Sequence, residues 1–260
     1  INEDEEGNKY LVIHSGSRNL GKQVAEFYQD VAVQNCKGLV DIREIEQATV
    51  KRLKEEGNQH LIQASLREIK KIYLEKQPSY PKELCFLEND ARTDYLYDMA
   101  VCQEYAHLNR MTMGNIILAK MFGSFVDDFQ YFESVHNYIN FEDNIIRKGA
   151  CSAYHGQKVI IPINMRDGSI LAIGKGNTDW NNSAPHGAGR LMGRMEAKRK
   201  LSTELFKEQM EGIYTTTANA STLDESPMAY KPIQEIVDNI QETVDIQKII
   251  KPIYNFKSSE

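Results

Sequence analysis

The chain has 260 residues, and 31 Lys and Arg residues against 37 Asp and Glu residues give a formal net charge of −6. This excess of acidic groups excludes a strong overall positive field that would attract nucleic acid non-specifically. A hydrophobic fraction of 41% excludes a disordered chain, no apolar run is long enough for a membrane span, and residues 1–6 do not read as a secretory signal.

The first half of the sequence predicts mainly helices. A short buried strand over residues 9–13 leads into a loop rich in Gly and Ser. Residues 22–76 are expected to form two or three helices, broken near Lys37-Gly38 and near Glu56-Gly57-Asn58. A second helical stretch is predicted over residues 90–122.

After Gly123 the pattern changes to short strands. Strands are predicted at 129–135, 159–163 and 169–173, separated by loops rich in Gly, Asn and Asp. The remaining elements are a basic helix over 190–210, a polar loop over 215–226, a helix over 233–250 and a last strand within 252–257. Strands and helices that do not alternate regularly predict an α+β fold, with the chemistry in the loops.

Four cysteines, Cys36, Cys85, Cys102 and Cys151, lie far apart without a Cys-x-x-Cys pair. This spacing argues against a zinc ribbon and against a disulfide framework. We therefore expect small, buried, reduced thiols in a cytoplasmic protein. The chain begins without methionine, as expected for an interior piece of a longer protein.

Two glycine-rich loops imitate nucleotide-binding motifs. Residues 16–23 (Gly-Ser-Arg-Asn-Leu-Gly-Lys-Gln) nearly match the phosphate-binding loop, but Gln23 replaces the hydroxyl residue that would bind magnesium. There are two alternative interpretations. The segment could be a tight turn at the start of a helix, or a turn that presents His14 as a ligand. Residues 187–193 resemble a dinucleotide fingerprint, but the polar residues before them cannot form the buried strand that this fingerprint requires.

Three of the six histidines, His14, His136 and His186, lie in loops beside glycine or short polar residues. A single loop histidine is usually solvated or packed in the core, but three in such loops favour a shared metal or phosphate centre. No carboxylate lies at an obvious spacing from any of them, so the sequence leaves this centre short of ligands.

A basic series follows His186 at four-residue intervals: Arg190, Arg194 and Lys198. On one helix these residues would form a stripe, and a solvated basic face is the common outcome. Alternatively, the amides of residues 187–189 at a helix N-terminus would present His186 to a phosphate, with arginine stabilising the developing charge. This second interpretation predicts phosphoryl or nucleotidyl transfer.

Several segments together make the sequence recognisable. They are residues 14–21, 98–99, 105–110, 133–138, 147–150, 186–190, 229–231 and 252–257. In this order they resemble the motifs of the RtcB family of RNA ligases, and His-Gly-Ala-Gly-Arg at 186–190 is among the most specific. The resemblance covers essentially the whole chain.

The resemblance implies a GTP- and manganese-dependent ligase that acts in RNA repair or tRNA splicing. Such an enzyme joins an RNA 3′-phosphate or 2′,3′-cyclic phosphate end to a 5′-hydroxyl end. A histidine first carries GMP as a phosphoramidate, and the guanylate then passes to the RNA 3′-phosphate. RNA ends, from tRNA halves or damaged RNA, and GTP are the implied partners.

The resemblance also implies roles for individual residues. His186 would be the nucleophile, with Arg190 as the second catalytic candidate, and His14 and His136 would be manganese ligands. The guanylate site would comprise Asn137, Pro162, Ile163, Asn164, Met165, Ser169, Gly187, Ala188, Gly189 and Lys257.

Two departures from the family pattern qualify the resemblance. The family's other metal ligands, an Asp and a Cys in one motif and a His in a Gly-Asn-His motif, lie upstream of the His14 loop and are absent from these 260 residues. Residues 1–260 are therefore expected to form one partial catalytic domain. The guanylate loop commonly reads Pro-Gly-Ser-Met-Gly, whereas residues 162–168 read Pro-Ile-Asn-Met-Arg-Asp-Gly.

Two alternatives to the ligase stay open from the sequence. One is a divergent metal-dependent phosphohydrolase or nucleotide-binding enzyme that kept the fold. The other is a non-catalytic RNA-binding fragment in which the basic residues 190–200 contact phosphates.

Overall fold

A computed structural model describes residues 1–37, 42–76 and 78–257. The chain divides into two compact units, one formed by Ile1–His14 with Met111–Glu260 and the other by Ser15–Arg110. Gly38, at the first predicted helix break, lies outside the described residues. Among the described helices, none combines the length and apolar character needed to cross a membrane.

The unit Ser15–Arg110 is helical, as predicted. Its helices are α1 (Arg18–Cys36), α2 (Ile42–Glu55), α3 (Ile62–Glu75) and the first part of α4 (Asn89–Phe122). Gly57 follows α2 with φ +74°, a conformation that glycine adopts without strain, and so confirms the predicted break. Gly21 and Lys22 lie inside α1, so residues 16–23 do not form a phosphate-binding loop.

The other unit is built on an antiparallel sheet with the strand order β2-β1-β9-β6-β5. These strands are β1 (Asn2–Glu3), β2 (Lys9–Tyr10), β5 (Lys158–Asn164), β6 (Gly168–Gly174) and β9 (Val244–Pro252). Every second residue of β5 faces the core, and Val159 and Ile161 are fully buried. The strands predicted at 159–163 and 169–173 are therefore confirmed.

A second, three-stranded sheet carries two of the candidate site residues. Its strands are β3 (His136–Asn140), β4 (Ile145–Ser152) and β7 (Ser183–Pro185), in the order β3-β4-β7. The register places His136 opposite Cys151 and Pro185 opposite Ala150 on the two sides of β4. The first residue of β3 and the last residue of β7 thus lie at the same end of this sheet.

Short helices and two apolar clusters complete this unit. The remaining elements are α5 (Arg194–Lys200), α6 (Thr203–Gln209), β8 (Tyr214–Thr215), α7 (Ile233–Asn239) and β10 (Tyr254–Asn255). The larger cluster joins β5, β6 and β9 to α7. The smaller cluster contains Met165, Phe206, Met210 and Leu223. Helices beside antiparallel sheets confirm the predicted α+β class.

Two of the predicted helices are wrong in extent. The helix expected over 190–210 begins only at Arg194 and stops at Lys200, where Leu201 becomes extended. Ser202 then caps the separate helix α6 by accepting a hydrogen bond from the Leu205 amide at 3.2 Å. The helix expected over 233–250 ends at Asn239, and its second half is β9, whose β-branched residues suit a strand.

Several strand predictions were also wrong. Residues 129–135 carry aromatic residues but pair with no strand among the described residues, and the strand begins at His136 instead. The predicted strand at 9–13 is reduced to Lys9–Tyr10. Strands β4 and β7 were not predicted, because the glycine and charged residues of β4 weaken its alternating pattern.

Candidate functional site: three loop histidines

The structure brings together the three histidines that the sequence singled out. His14 lies before α1, His136 begins β3, and His186 follows β7. The Nε2 atoms of His14 and His136 are 3.0 Å apart, and the ring centroids of His136 and His186 are 4.6 Å apart. Three side chains that are distant in sequence therefore form one row of imidazoles.

Gly149 on β4 makes hydrogen bonds on both sides of this row. Its amide donates a hydrogen bond to Asn137 Oδ1 at 2.8 Å, and its carbonyl accepts one from the His186 amide at 3.4 Å. A Cβ at this position would lie 3.9 Å from the His186 ring, which is ordinary contact. The φ of +74°, rather than lack of space, is what favours glycine here.

The donor chemistry of the row fits two positions on a divalent cation. Imidazole nitrogens suit manganese, zinc or iron, and the His14 and His136 Nε2 atoms converge on one another. No group of three or more His, Cys, Asp or Glu side chains within residues 1–37, 42–76 and 78–257 is arranged to hold a metal ion.

The loop after His186 packs closely against the end of β5. The Ala188 amide donates to the Pro162 carbonyl at 3.2 Å, and a Cβ on Gly187 would lie 3.2 Å from that same oxygen. The structure therefore brings together the two segments that the resemblance assigns to the guanylate site. The Ala188 amide therefore already has a hydrogen-bond acceptor within the protein. The next helix starts only at Arg194, so the prediction of a helix N-terminus at 187–189 is wrong.

Most side chains of the predicted guanylate segment 162–169 are buried or make hydrogen bonds within the segment itself. The side chains of Ile163 and Met165 are buried in the two apolar clusters, and Ser169 is buried as well. Asn164 Oδ1 accepts hydrogen bonds from the amides of Arg166 and Asp167, at 2.9 and 2.8 Å, and so closes its own turn. The role of this segment in nucleotide binding stays a prediction.

A carboxylate that sequence reasoning missed lies at the centre of a polar cluster. Glu225 Oε1 accepts from Arg190 Nη2 at 2.8 Å, while Oε2 accepts from the Tyr230 hydroxyl at 2.7 Å and lies 3.4 Å from Lys257 Nζ. Arg190 Nη2 also donates to the Tyr230 hydroxyl at 2.8 Å, and Arg190 Nη1 donates to the Asp224 carbonyl at 2.6 Å. We call Arg190, Glu225, Tyr230 and Lys257 the Glu225 cluster.

The electrostatics of the Glu225 cluster keep its carboxylate charged. Burial alone raises the pKa of Glu225, but the charge of Lys257, the Tyr230 hydrogen bond and the charge of Arg190 together lower that pKa below its ordinary value. Burial, followed by the effect of Glu225, raises the pKa of Tyr230. At neutral pH Glu225 is therefore a charged carboxylate, and the Tyr230 phenol keeps its proton.

The other basic residues of the predicted stripe face a second carboxylate. Arg194 Nε lies 3.9 Å from Asp224 Oδ2, and Lys198 Nζ lies 3.3 Å from Asp224 Oδ1. Arg190 precedes α5, so the series does not share one helix with His186. The predicted stripe is thus divided: Arg190 faces Glu225, whereas Arg194 and Lys198 face Asp224.

Comparison with known proteins gives one consistent result. The family model for "tRNA-splicing ligase RtcB" matches residues 2–258. The chain is similar to the RNA-splicing ligase RtcB of Escherichia coli, at 27% identity over 94% of this chain and 54% of that protein. It is similar to the tRNA-splicing ligase RtcB of Archaeoglobus fulgidus, at 27% identity over 90% of this chain and 48% of that protein. The chain spans about half the length of these curated relatives.

Proposed function

The chain belongs to the RtcB family, and on this premise we propose that it forms part of an RNA ligase with His186 as its nucleophile. The observation that carries the proposal is the meeting of His14, His136 and His186 beside Gly149. The proposed reaction joins an RNA 3′-phosphate or 2′,3′-cyclic phosphate end to a 5′-hydroxyl end, with GTP as the second substrate.

The first step that we propose is transfer of guanylate to the enzyme. The lone pair of a His186 ring nitrogen attacks the α-phosphorus of GTP, a P–N bond forms, and the bond to pyrophosphate breaks. The guanylate next passes from His186 to the RNA 3′-phosphate. The 5′-hydroxyl of the other RNA end then attacks that phosphate, and GMP leaves.

The proposed roles of the other residues follow from their positions. The Gly149 carbonyl holds the His186 amide, and the Asn137 side chain, next to His136, accepts from the Gly149 amide. His14 and His136 would hold a manganese ion through Nε2. When bound, that ion would withdraw charge from the phosphate oxygens while a neutral imidazole attacks.

The RNA-binding alternative is weaker on a specific observation. A passive RNA-binding fragment would use the basic residues after His186, but Arg194 and Lys198 face Asp224, and Arg190 faces Glu225. Paired cations release less counterion on binding phosphates, so they contribute less to affinity for RNA. A phosphohydrolase would use the same site. It would differ from the ligase in its product, which is free phosphate rather than joined RNA.

The test is intact-mass measurement on the natural protein that carries this chain, after incubation with GTP and Mn²⁺. We expect an acid-labile mass gain of one GMP, lost in His186→Ala because the nucleophile is gone. The matched control is His60→Ala, which removes an exposed histidine of the helical unit and should leave the gain intact.

Three results would contradict this proposal. Guanylylation that survives in His186→Ala would refute the nucleophile, and its absence from the wild-type protein would refute the guanylate step. Release of phosphate from 3′-phosphorylated RNA, without joining to a 5′-hydroxyl RNA, would instead identify the phosphohydrolase.

A further inference from the structure

We propose that Glu225 is a positioning residue of the nucleotide site, where one carboxylate holds Arg190, Tyr230 and Lys257 in a fixed arrangement. The inference rests on the proposed function, because the family resemblance brings Lys257 to that site and makes Arg190 the second catalytic candidate. Glu225 itself belongs to none of the motifs that carry the resemblance.

The contacts of Glu225 join three separate segments of the chain. Arg190 belongs to the loop that follows His186, Tyr230 forms an isolated antiparallel bridge with Arg190, and Lys257 lies at the end of the described chain. The Leu191 amide donates to the Ala229 carbonyl at 2.8 Å, and the Lys231 amide donates to the Gly189 carbonyl at 3.2 Å. The carboxylate therefore lies where the His186 loop and the segment 225–231 are already tied together.

The long side chains of Arg190 and Lys257 have many rotamers, and their contacts with Glu225 restrict them. Arg190 is anchored on two sides, since its guanidinium also lies over the Tyr230 ring at 4.7 Å from the ring centre. Lys257 has a flexible four-carbon stem, and its backbone amide donates to Thr217 Oγ1 at 3.2 Å. Without the carboxylate, Lys257 would be free to take other rotamers and Arg190 would lose one of its anchors, so a ligand would have to order them on binding.

Glu225 also sets the charge that the site presents. The carboxylate neutralises one of the two cations, so a ligand meets oriented N–H donors with a reduced positive charge. Groups ordered before binding cost less entropy when the ligand arrives, and this acts on affinity rather than on the chemical step. We therefore expect loss of Glu225 to weaken nucleotide binding more than it slows guanylate transfer.

The experiment compares Glu225→Gln with the wild-type natural protein. Gln keeps the size of the side chain but removes its charge. The dissociation constant for GTP, measured by titration calorimetry with Mn²⁺ present and with His186→Ala in both proteins to block covalent guanylylation, should rise about tenfold. The KM for GTP in guanylylation should rise by a similar factor, with kcat changed less than about threefold. Glu196→Gln removes an exposed ion pair with Lys200 on α5 and should change neither value.

A second variant tests the same role of Glu225 in case Glu225→Gln impairs folding. Lys257→Met removes one partner at a half-exposed position, and we expect a similar rise in the GTP dissociation constant. If Glu225 acts through Lys257, the double variant should bind GTP only slightly more weakly than either single variant. Thermal unfolding of each variant shows whether the fold is retained.

The outcomes separate this inference from the proposed function. Unchanged GTP affinity in Glu225→Gln, or a loss confined to kcat, would overturn the positioning role while leaving the ligase intact. Fully independent effects of the two substitutions would also overturn it. A wild-type protein that takes up no guanylate would overturn the proposed function first, and the positioning role with it.

Discussion

Arg147 is a buried charge that several hydrogen bonds satisfy. Its side chain is buried, and it donates from Nε to Ser183 Oγ at 2.9 Å and from Nη2 to the Asn181 carbonyl at 3.0 Å. Asp143 Oδ2 lies 3.4 Å from the same Nη2. Because Ser183 begins the strand that leads to His186, Arg147 holds β7 against β4. Arg147, in the segment 147–150, thus helps to position the strand that carries His186.

A second buried charge, Asp4, makes stability depend on pH. Its carboxylate, only 3% exposed, accepts hydrogen bonds from the amides of Glu6 and Asn8, from the Tyr10 hydroxyl at 2.7 Å and from Lys248 at 2.9 Å. The Lys248 and Asn8 hydrogen bonds lower the pKa of Asp4 far below its ordinary value. Its contribution to stability is therefore present above the unfolded-state pKa of about 3.9 and is lost as pH falls towards the lower folded-state pKa.

We predict that Asp4→Asn lowers the melting temperature by a constant amount above about pH 5. The difference from the wild type should narrow below about pH 4, because the unfolded wild-type chain then takes up the proton. Thermal unfolding followed by circular dichroism from about pH 8 to about pH 3 measures this. Glu5→Gln, at an exposed neighbouring position, is the control. A difference that stays the same across the acidic range would contradict the prediction.

Among the elements, the β5–β6 hairpin depends on one glycine. Gly168 begins β6 with φ +83°, and a Cβ there would overlap the Ile250 carbonyl oxygen on β9. Backbone atoms of a paired strand cannot move away as a flexible side chain can. The glycine therefore permits both the turn from β5 and the pairing of β6 with β9.

We predict that Gly168→Ala destabilises the protein much more than Gly212→Ala. Gly212 has nearly the same φ, +84°, but a Cβ added there would have no neighbouring atom within 4 Å. Gly212→Ala should therefore cost only the backbone strain, roughly 1–2 kcal/mol. Gly168→Ala adds the clash and should cost about 1–3 kcal/mol more. Urea unfolding measures both free energies, and equal losses would show that the clash is relieved at little cost.

The sequence predicted elements well where one periodicity dominated. The helices α1 to α4 and the strands β5 and β6 carry clear helical or alternating patterns, and they were found. The pattern failed over 233–250, because a short helix and a strand of similar hydrophobicity follow each other without a glycine or proline between them. It failed at α5 and α6 because a serine cap interrupts an otherwise helical composition.

For the molecule as a whole, the candidate site was only partly predictable. Each of the three histidines could be noticed beside its glycine or asparagine. The meeting of His136 and His186, however, depends on the register of β3, β4 and β7, which local patterns do not encode. The family resemblance supplied that link. Glu225 had no local signal, since its partners Arg190 and Lys257 are far away in sequence and the carboxylate lies in an ordinary polar loop.

The four thiols provide a test of packing across the whole chain. Cys36, Cys102 and Cys151 are buried at 8%, 3% and 1% exposure, whereas Cys85 is partly exposed. Burial raises the pKa of Cys85, Cys102 and Cys151, and a hydrogen bond with Cys36 raises that of Cys85 further. Since the thiolate is the reactive form, none of these three thiols should react with soluble disulfides as fast as a free cysteine at neutral pH.

We predict that an aromatic disulfide reagent labels one thiol of the native chain first and the other three only slowly. The buried thiols react only when the protein unfolds locally or globally. In urea, all four thiols should therefore react with the reagent in a single fast phase. Cys85→Ser should remove the first native phase and leave the slow phase in place. The absorbance of the released aromatic thiol measures these phases. Two or more fast thiols in the native chain would mean that Cys36, Cys102 or Cys151 is less protected than its burial indicates.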